Sequence, residues 1–566
     1  METILLQKKK DDVLKIDEAT LESMPYEDEI IQNVILKIKE QKLLNIQEDT
    51  LGVLFERLIK EEERKNLGQF YTPQKIVNYM INYLNIKSDS KILDPTCGCG
   101  VFLVTAYNFL KRLNKDALNN IYGVDLNDSA TKITRLNLWL RNGQNTESLR
   151  ILERNIKIGN SIVGNKKIDN KAFDWKKEFS EILNDGRFDF IIGNPPYVTL
   201  KNGRDYDISE SIYSKIANGS TNAASLVIAK SFELLKDEGI MAFVLPKTLL
   251  RVNSYAKLRN FLLENSKILH IYDLGSCFNG VRGEQIILFI QKTRNKNELK
   301  NHKVLIRVFE KKEKPLEEQK AFLVPQKIFK KYNNFLMFEE KAHYDLIEKI
   351  NNSGQPLENL AEIFRGLTIS PNSSLISKTK SKNNKPIIKG NNISKFSYSV
   401  TYYIDINKIV NNTSKLELIE REKIILQNIF SSEAGIISAI DKKGCLTFDT
   451  VTNIVLHDKT IDIKYLLGLL NSKLINFYLM YAIYNKSKLT MHTDKVYLGK
   501  VPIKLVDKKK QKSVIKIVEK LEKTKDKKKL LRELDKQVYK LYGISKTERV
   551  LIEDSLKKLM SEKSLW

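Results

Sequence analysis

Cysteine, histidine and long apolar runs are all scarce in this chain. Its 566 residues include four cysteines and five histidines. A disulfide scaffold needs far more cysteine, so a reducing, cytoplasmic setting is expected. Cys97-x-Cys99 has no second cysteine pair to complete a structural zinc site, and no metal is expected. No stretch reaches the ~18 uninterrupted apolar residues of a membrane span. The N-terminal METILLQKKKDD lacks the apolar core of a secretion signal. The chain therefore reads as soluble, with no membrane partner. Acidic residues are also in deficit, 69 against 95 Lys and Arg, a formal net charge of +26. A field of that sign attracts polyanions, of which nucleic acid is the commonest large one. Lysine is used heavily throughout, however, and charge speaks to partners rather than to fold.

What is present is enough apolar material for real cores, 42% of the residues. At roughly 150 residues per domain, the length implies three or four units. Residues 1–66 read as helical, with apolar residues at helical spacing in IIQNVILKIKE and LGVLFERLIKEEERK. Short apolar runs then alternate with amphipathic helices. The runs are KILD (91–94), IYGVDL (121–126), FDFIIG (188–193), GIMAFVLP (239–246), ILHIYDL (268–274) and QIILFIQ (285–291). This alternation predicts an α/β, doubly wound, Rossmann-like domain over 67–296, with helices covering both faces of a mostly parallel sheet. The Lys/Asn-rich RNKNELKNHK marks a change of character. A mixed α+β region over 297–506 follows, and a charged helical tail over 507–566. In that tail Val514, Ile517, Val518, Leu521, Leu530 and Leu534 keep helical spacing. A packed helix or helical hairpin is the expectation, with a polyanion-contacting basic arm as the alternative.

Ligands of such sheets sit at the carboxyl ends of the strands, beside the switch in strand order. The first strand ends in Asp94-Pro95-Thr96-Cys97-Gly98-Cys99-Gly100. Glycines there let backbone pass close to a ligand. Neither a full G-x-G-x-x-G nor the Gly-Lys-Ser/Thr of a phosphate loop is present, and Asp94 suits a cationic ammonium better than a diphosphate. The second strand ends in Asp125, where a carboxylate accepts from both hydroxyls of a ribose. The separation, 125 − 94 = 31 residues, fits one strand–helix–strand unit. Together these favour an adenosine-type cofactor. A glycine-rich turn with Asp125 capping a helix is the bland alternative.

The strand FDFIIG runs into Asn194-Pro195-Pro196-Tyr197. Two prolines end strand pairing and stiffen the loop. The Asn194 side-chain oxygen and the Pro195 carbonyl are two acceptors suited to the two hydrogens of a conjugated exocyclic amine. They favour a pyramidal nitrogen whose lone pair faces an incoming methyl group, and they stabilise its developing positive charge. Tyr197 can stack on a base for ~1–3 kcal/mol. The alternative is a Pro-stiffened turn with Tyr197 in the core. Upstream, in Phe70-Tyr71-Thr72-Pro73, Thr72 reads as a helix start with Pro73 in the first helical position.

Phe70-Tyr71-Thr72-Pro73, Asp94-Pro95-x-Cys97-Gly98-x-Gly100-x-Phe102-Leu103 and Asn194-Pro195-Pro196-Tyr197, in that order, resemble the gamma-class amino-methyltransferases of Type II restriction–modification systems. PLENLAEIFRGLTIS (356–370), PIIKGNNISKF (386–396), LLGLLNSKLINFY (466–478) and LGKVPI (498–503) are similar to their target-recognition domains. The resemblance implies an S-adenosylmethionine-dependent methyltransferase domain over 67–296 and a target-recognition domain over 297–506. It implies an adenine-specific DNA methyltransferase that acts at N-6 of a base flipped from double-stranded DNA. It places Tyr71, Thr72, Pro73, Asp94, Pro95, Cys97, Gly98 and Gly100 around the methionine end of the cofactor. Asp125 would hold the ribose and Leu126 flank the adenine. The family often carries Asp where this chain has Asn160, whose side-chain oxygen would replace it. Asn194, Pro195, Pro196 and Tyr197 would bind the target base. Phe278 resembles the aromatic on the base's other face, with a core Phe as the alternative. Lys247 reads as solvated, with a phosphate contact as the alternative.

Some relatives of this class carry an endonuclease ahead of these motifs. The 66 residues before Leu67 are short for one, so a separate cognate restriction endonuclease is the expected nuclease partner. Competing readings are a modification subunit of a Type I complex, methylation of protein glutamine or RNA, and a catalytically silent DNA-binding protein.

Overall fold

The computed structural model describes residues 72–561 except 203, 210, 218–220, 276–282, 310–313, 333, 338–339, 371–372, 383, 406–412, 432–433 and 487–490. Before them it describes 14–15, 32–33, 36, 45–46 and 50–58. Of the expected N-terminal helical region the described residues include the helix Thr50–Leu58 (α1), but Leu14–Lys15 and Asn45–Ile46 pair as short antiparallel strands rather than helix; most of the remainder lies outside the described residues. The chain divides into two compact units, Met1–Phe335 with Ser564–Trp566, and Leu336–Lys563.

Among the described residues, nine strands of the first unit form one sheet. In chain order they are β1 (Ile92–Asp94), β2 (Ile121–Asp125), β3 (Ile156–Ile158), β4 (Phe188–Gly193), β5 (Leu235–Pro246), β6 (Ser266–Gly275), β7 (Gln285–Lys292), β8 (Lys303–Val308) and β9 (Ala321–Pro325). Their spatial order is 3-2-1-4-5-7-6-8-9. β3, β2, β1, β4 and β5 run parallel, while β7 is inserted antiparallel between β5 and β6. The central strands are apolar because both faces are covered: every residue of β1 and β2 is buried. Helices α2 (Gln74–Tyr83), α3 (Val101–Lys111) and α4 (Asp128–Arg141) contribute Ile76, Leu103, Tyr107 and Leu136 to this core. The doubly wound expectation holds, with two differences. β3 was absent from the sequence reading, and the sheet continues past the 296/297 boundary through β8 and β9.

The order reverses at β1. The chain passes from β1 outward through β2 and β3, then returns to place β4 on the other side of β1. This is the switch point at which strand ends diverge and leave a crevice. Asp94 ends β1, Asp125 ends β2, and Asn194 follows β4 directly.

The second unit contains two four-stranded sheets. Its strands include β10 (Ala361–Arg365), β11 (Lys423–Gln427), β12 (Ser438–Asp441) and β13 (Val451–Leu456), an antiparallel sheet of order 10-13-11-12. Helix α5 (Ile463–Leu470) packs on the first of three C-terminal helices, α6 (Lys508–Lys523), α7 (Lys528–Tyr542) and α8 (Lys546–Ser561). The approach is close: a Cβ on Gly468 would stand 2.5 Å from a Val514 methyl. Val514, Ile517, Val518, Leu521 and Leu534 are buried as their spacing predicts, whereas Leu530 is only half-buried. The tail is thus a packed part of this unit. Among the described residues no single helix is long and apolar enough to cross a membrane, and no cluster of potential metal ligands occurs.

Candidate active site

A cavity of about 840 Å³ opens at the switch point, within the size range of ligand pockets. Its wall brings together Thr72, Asp94, Pro95, Cys97, Gly98, Asp125, Leu126, Asn160, Asn194 and Pro196, ten of the residues singled out in the sequence. Pro73, Gly100, Pro195 and Tyr197 adjoin that wall through their chain neighbours. Tyr71 and Phe278 lie outside the described residues.

Asp94 is 1% exposed. One carboxylate oxygen, Oδ1, accepts the Thr96 N–H at 3.0 Å, while Oδ2 has no hydrogen-bond partner. A buried acceptor left open in this way is costly and rare. Burial pushes the Asp94 carboxyl well above the usual range; the Thr96 N–H opposes the shift and the neighbouring Asp125 adds to it. Gly193 permits the fit, because a Cβ there would lie 2.6 Å from Asp94 Oδ1. Asp125 is similarly buried, and its carboxyl is likewise raised by burial. Its oxygens accept N–H groups of Gly98 (2.8 Å) and Asn127 (2.8 Å), which opposes the shift. Asn127, rather than Asp125, caps α4 by accepting the Ala130 N–H. The capping alternative for Asp125 is thereby removed, and each of its oxygens keeps a second lone pair.

The loop between these aspartates is shaped by glycine. Gly100, at φ +86° before α3, would drive a Cβ to 2.6 Å from Thr134. Cys97 is buried, and burial together with Asp125 and Asp94 pushes its thiol well up, so it is a neutral wall group.

Asn194 is held from two sides. Its Nδ2 donates to Thr72 Oγ1 at 3.1 Å, across 122 residues of chain. Its Oδ1 accepts the Tyr197 hydroxyl at 2.6 Å. The helix at this point begins at Gln74, with Pro73 as the residue before it. Thr72 is therefore not a cap: its side chain is turned to Asn194 instead.

Asn160 lies at the other end of the cavity. Its Oδ1 accepts the Ile162 N–H at 3.2 Å and its Nδ2 donates to Asp169 Oδ2 at 2.6 Å. Asp169 also lines the cavity and was missed in the sequence, where it sits in a Lys/Asn-rich stretch without periodicity. Lys247 corrects an expectation. It is neither solvated nor open to a phosphate, being 6% exposed and paired to Asp273 at 2.8 Å and Glu284 at 3.3 Å. Burial lowers its pKa, but the two carboxylates outweigh burial and hold it above its ordinary value. These partners come from the end of β6 and the residue before β7, so sequence proximity could not announce them.

Acidic side chains predominate on the cavity wall, with Asp94, Asp125, Asp128, Asp169 and Asp205 set against Lys171 and Arg204. The cavity suits a ligand that carries positive charge.

Comparison with known proteins agrees with this architecture. Residues 119–278 match the Eco57I restriction-modification methylase family, and residues 385–503 match the TaqI-like C-terminal specificity domain. The type II restriction enzyme and methyltransferase RM.Eco57I of Escherichia coli is 27% identical over 304 residues, 44% of this chain and 30% of that protein. The type II methyltransferase M.VspI of Vibrio sp. (strain 343) is 27% identical over 256 residues, 45% of this chain and 53% of that protein. The chain thus spans less than two thirds of the length of either. The type IIL restriction–modification enzyme MmeI, solved in complex with DNA, has the same fold, with a TM-score of 0.61 at 13% identity over 94% of this chain and 85% of that one. The chain thus carries a segment that matches the restriction–modification methylases, built on the switch-point sheet, and a segment downstream that matches a TaqI-like specificity domain.

Proposed function

We propose that this chain transfers a methyl group from S-adenosylmethionine to the exocyclic N-6 amine of an adenine flipped out of double-stranded DNA. It acts in the cytoplasm, at a sequence read by its C-terminal unit, and so marks or protects host DNA. The observation that carries this reading is the Asn194 amide, fixed by Thr72 and Tyr197 at the end of β4 beside the open carboxylate of Asp94.

The residues present fit the cofactor. Asp94 Oδ2 is a buried acceptor without a donor, as an ammonium site requires, and the wall has a surplus of carboxylates. Asp94 would hold the ammonium, with Thr72, Pro95, Cys97 and Gly98 around the methionine end and Tyr71 beside them. Asp125 would accept the ribose hydroxyls, Leu126 flank the adenine, and Asn160 with Asp169 accept its amino group. When bound, S-adenosylmethionine supplies an electrophilic methyl group.

This chain's residues then act on the target. Asn194 Oδ1 and the Pro195 carbonyl accept the two amine hydrogens and stabilise the charge that develops on nitrogen. The Tyr197 hydroxyl, which donates to Asn194 Oδ1 in this structure, gives that oxygen up as its ring turns onto the base. Phe278 is proposed for the base's other face. Stacking offsets the cost of extrusion. The methylated nitrogen is acidic and releases its proton to water, so no strong base is needed.

The TaqI-like segment favours a self-contained Type II enzyme over a Type I modification subunit. The test is native sequencing of host DNA after expression of this chain alone. The expected result is N-6-modified adenine in one recurrent motif. Absence of modification, modified cytosine, or activity only with an added specificity subunit would overturn the reading.

A further inference from the structure

Helix α6, Lys508–Lys523, has two unlike faces. At 3.6 residues per turn, Gln511, Val514, Ile517, Val518 and Leu521 share one arc of about 120°. All five are buried, and the close approach of Gly468 to Val514 shows which way this arc faces. The opposite arc of about 120° holds Lys508, Lys509, Lys512, Lys516, Lys520 and Lys523, all exposed. The acid among them is Glu519, which is engaged by Lys464 of α5. A helix that needed charge only for solubility would intersperse both signs on its outer face. Here cations four residues apart form a ridge, Lys508–Lys512–Lys516–Lys520, with about 6 Å between successive members.

We infer that this ridge is a duplex-backbone contact: a surface of the second unit that binds DNA phosphates without reading sequence. The six lysines span about 22 Å of helix axis, and a B-form strand presents about six phosphates over that length. Packing of the apolar arc fixes the helix, so the lysines are presented in a row rather than on a mobile arm. Contacts of this kind set register and orientation while base contacts specify. The ridge lies outside the TaqI-like segment, which ends at residue 503.

The inference rests on the DNA reading above, and the two fail separately. Absence of methyl transfer by the parent chain overturns that reading; the salt dependence of binding tests this one. The full chain and a variant carrying Lys508→Gln, Lys512→Gln, Lys516→Gln and Lys520→Gln are titrated with a random-sequence 40-bp duplex over a series of NaCl concentrations. Glutamine keeps the helix propensity and leaves the buried arc intact, which circular dichroism checks. Each lost phosphate contact removes about 0.9 from the slope of log K against log salt, so the variant's slope should be shallower by about 3.6. A control, Lys166→Gln, Lys167→Gln, Lys176→Gln and Lys177→Gln, removes the same net charge from exposed sites elsewhere and should keep the parent slope. Coincident slopes for parent and ridge variant, equal losses in both variants, or tighter ridge-dependent binding of single-stranded RNA than of the duplex would overturn the inference.

Discussion

Asp94 in the first unit and Asp441 in the second are both buried, and their surroundings differ in kind. Asp441 Oδ2 accepts from Lys423 Nζ (2.6 Å) and the Cys445 N–H (2.8 Å), and Oδ1 accepts from the Tyr398 hydroxyl (2.9 Å) and the Lys443 N–H (2.9 Å). Lys423 is itself fully buried and also reaches the Cys445 carbonyl. That network is closed and needs nothing from outside the chain. Asp94 has one backbone donor, one open oxygen and a cavity beside it. A closed buried network specifies a fold; an open one facing a cavity marks a place for a ligand's donor.

The sharpest way to break this contrast is Asp441→Ala. It strands the buried Lys423 charge, and the second unit should lose about 3–5 kcal/mol, read as a lower urea midpoint. A change below about 1 kcal/mol would mean that water already reaches Lys423. Asp535 of α7 tests an intermediate case. It is mostly buried, accepts the Lys473 N–H at 2.8 Å, and has its pKa pushed up to about 6, chiefly by burial. Because the folded pKa lies above the unfolded value near 3.8, the contribution of Asp535 is fully present at low pH and is lost as pH rises from about 4 to 6. Asp535→Asn should therefore gain up to about 3 kcal/mol over the parent at pH 8 and nothing at pH 4. Equal gains at both pH values would contradict this.

Asp94→Asn should leave urea stability unchanged or higher, since it removes an uncompensated buried acid. Cofactor affinity should fall about 10- to 100-fold, the worth of a charged hydrogen bond of about 1.5–3 kcal/mol, measured by calorimetry. Lost stability with intact affinity would reverse the contrast. His270 sharpens it from another side. Neither ring nitrogen has a hydrogen-bond partner, yet it faces the rings of Tyr79, Tyr83, Tyr272 and Phe289 rather than the cavity. Burial, with Arg307 nearby, lowers its pKa to about 3. The folded state resists protonation, so its contribution is complete above pH 6.5 and declines as pH falls towards 3. At pH 5 that decline is about 2 kcal/mol, and His270→Phe should abolish it. An unchanged acid limb would show that the ring is already protonated or solvated.

The parts of the site that could be read in the sequence are those where strand and motif coincide. Asp94, Asp125 and Asn194 each close an apolar run whose strand the structure contains. β3 was not legible because three residues with one buried, one half-buried and one exposed side chain carry no periodic signal. β8 and β9 alternate buried and less buried residues at the sheet's edge, and the Lys/Asn-rich stretch before them imitates a domain break. Thr72–Asn194, Asn160–Asp169 and Lys247–Asp273–Glu284 are spatial pairings across strand ends. Sequence spacing does not encode them, and they decide which groups are wall, acceptor or staple.

The central claim, that the fixed Asn194 amide is the acceptor that drives transfer, is tested most directly by Asn194→Ala, with cofactor binding and methyl transfer measured on the same preparation. Crosslinking to radiolabelled S-adenosylmethionine should stay near the parent level while labelling of DNA adenine falls to background. Methyl transfer at the parent rate would contradict the account.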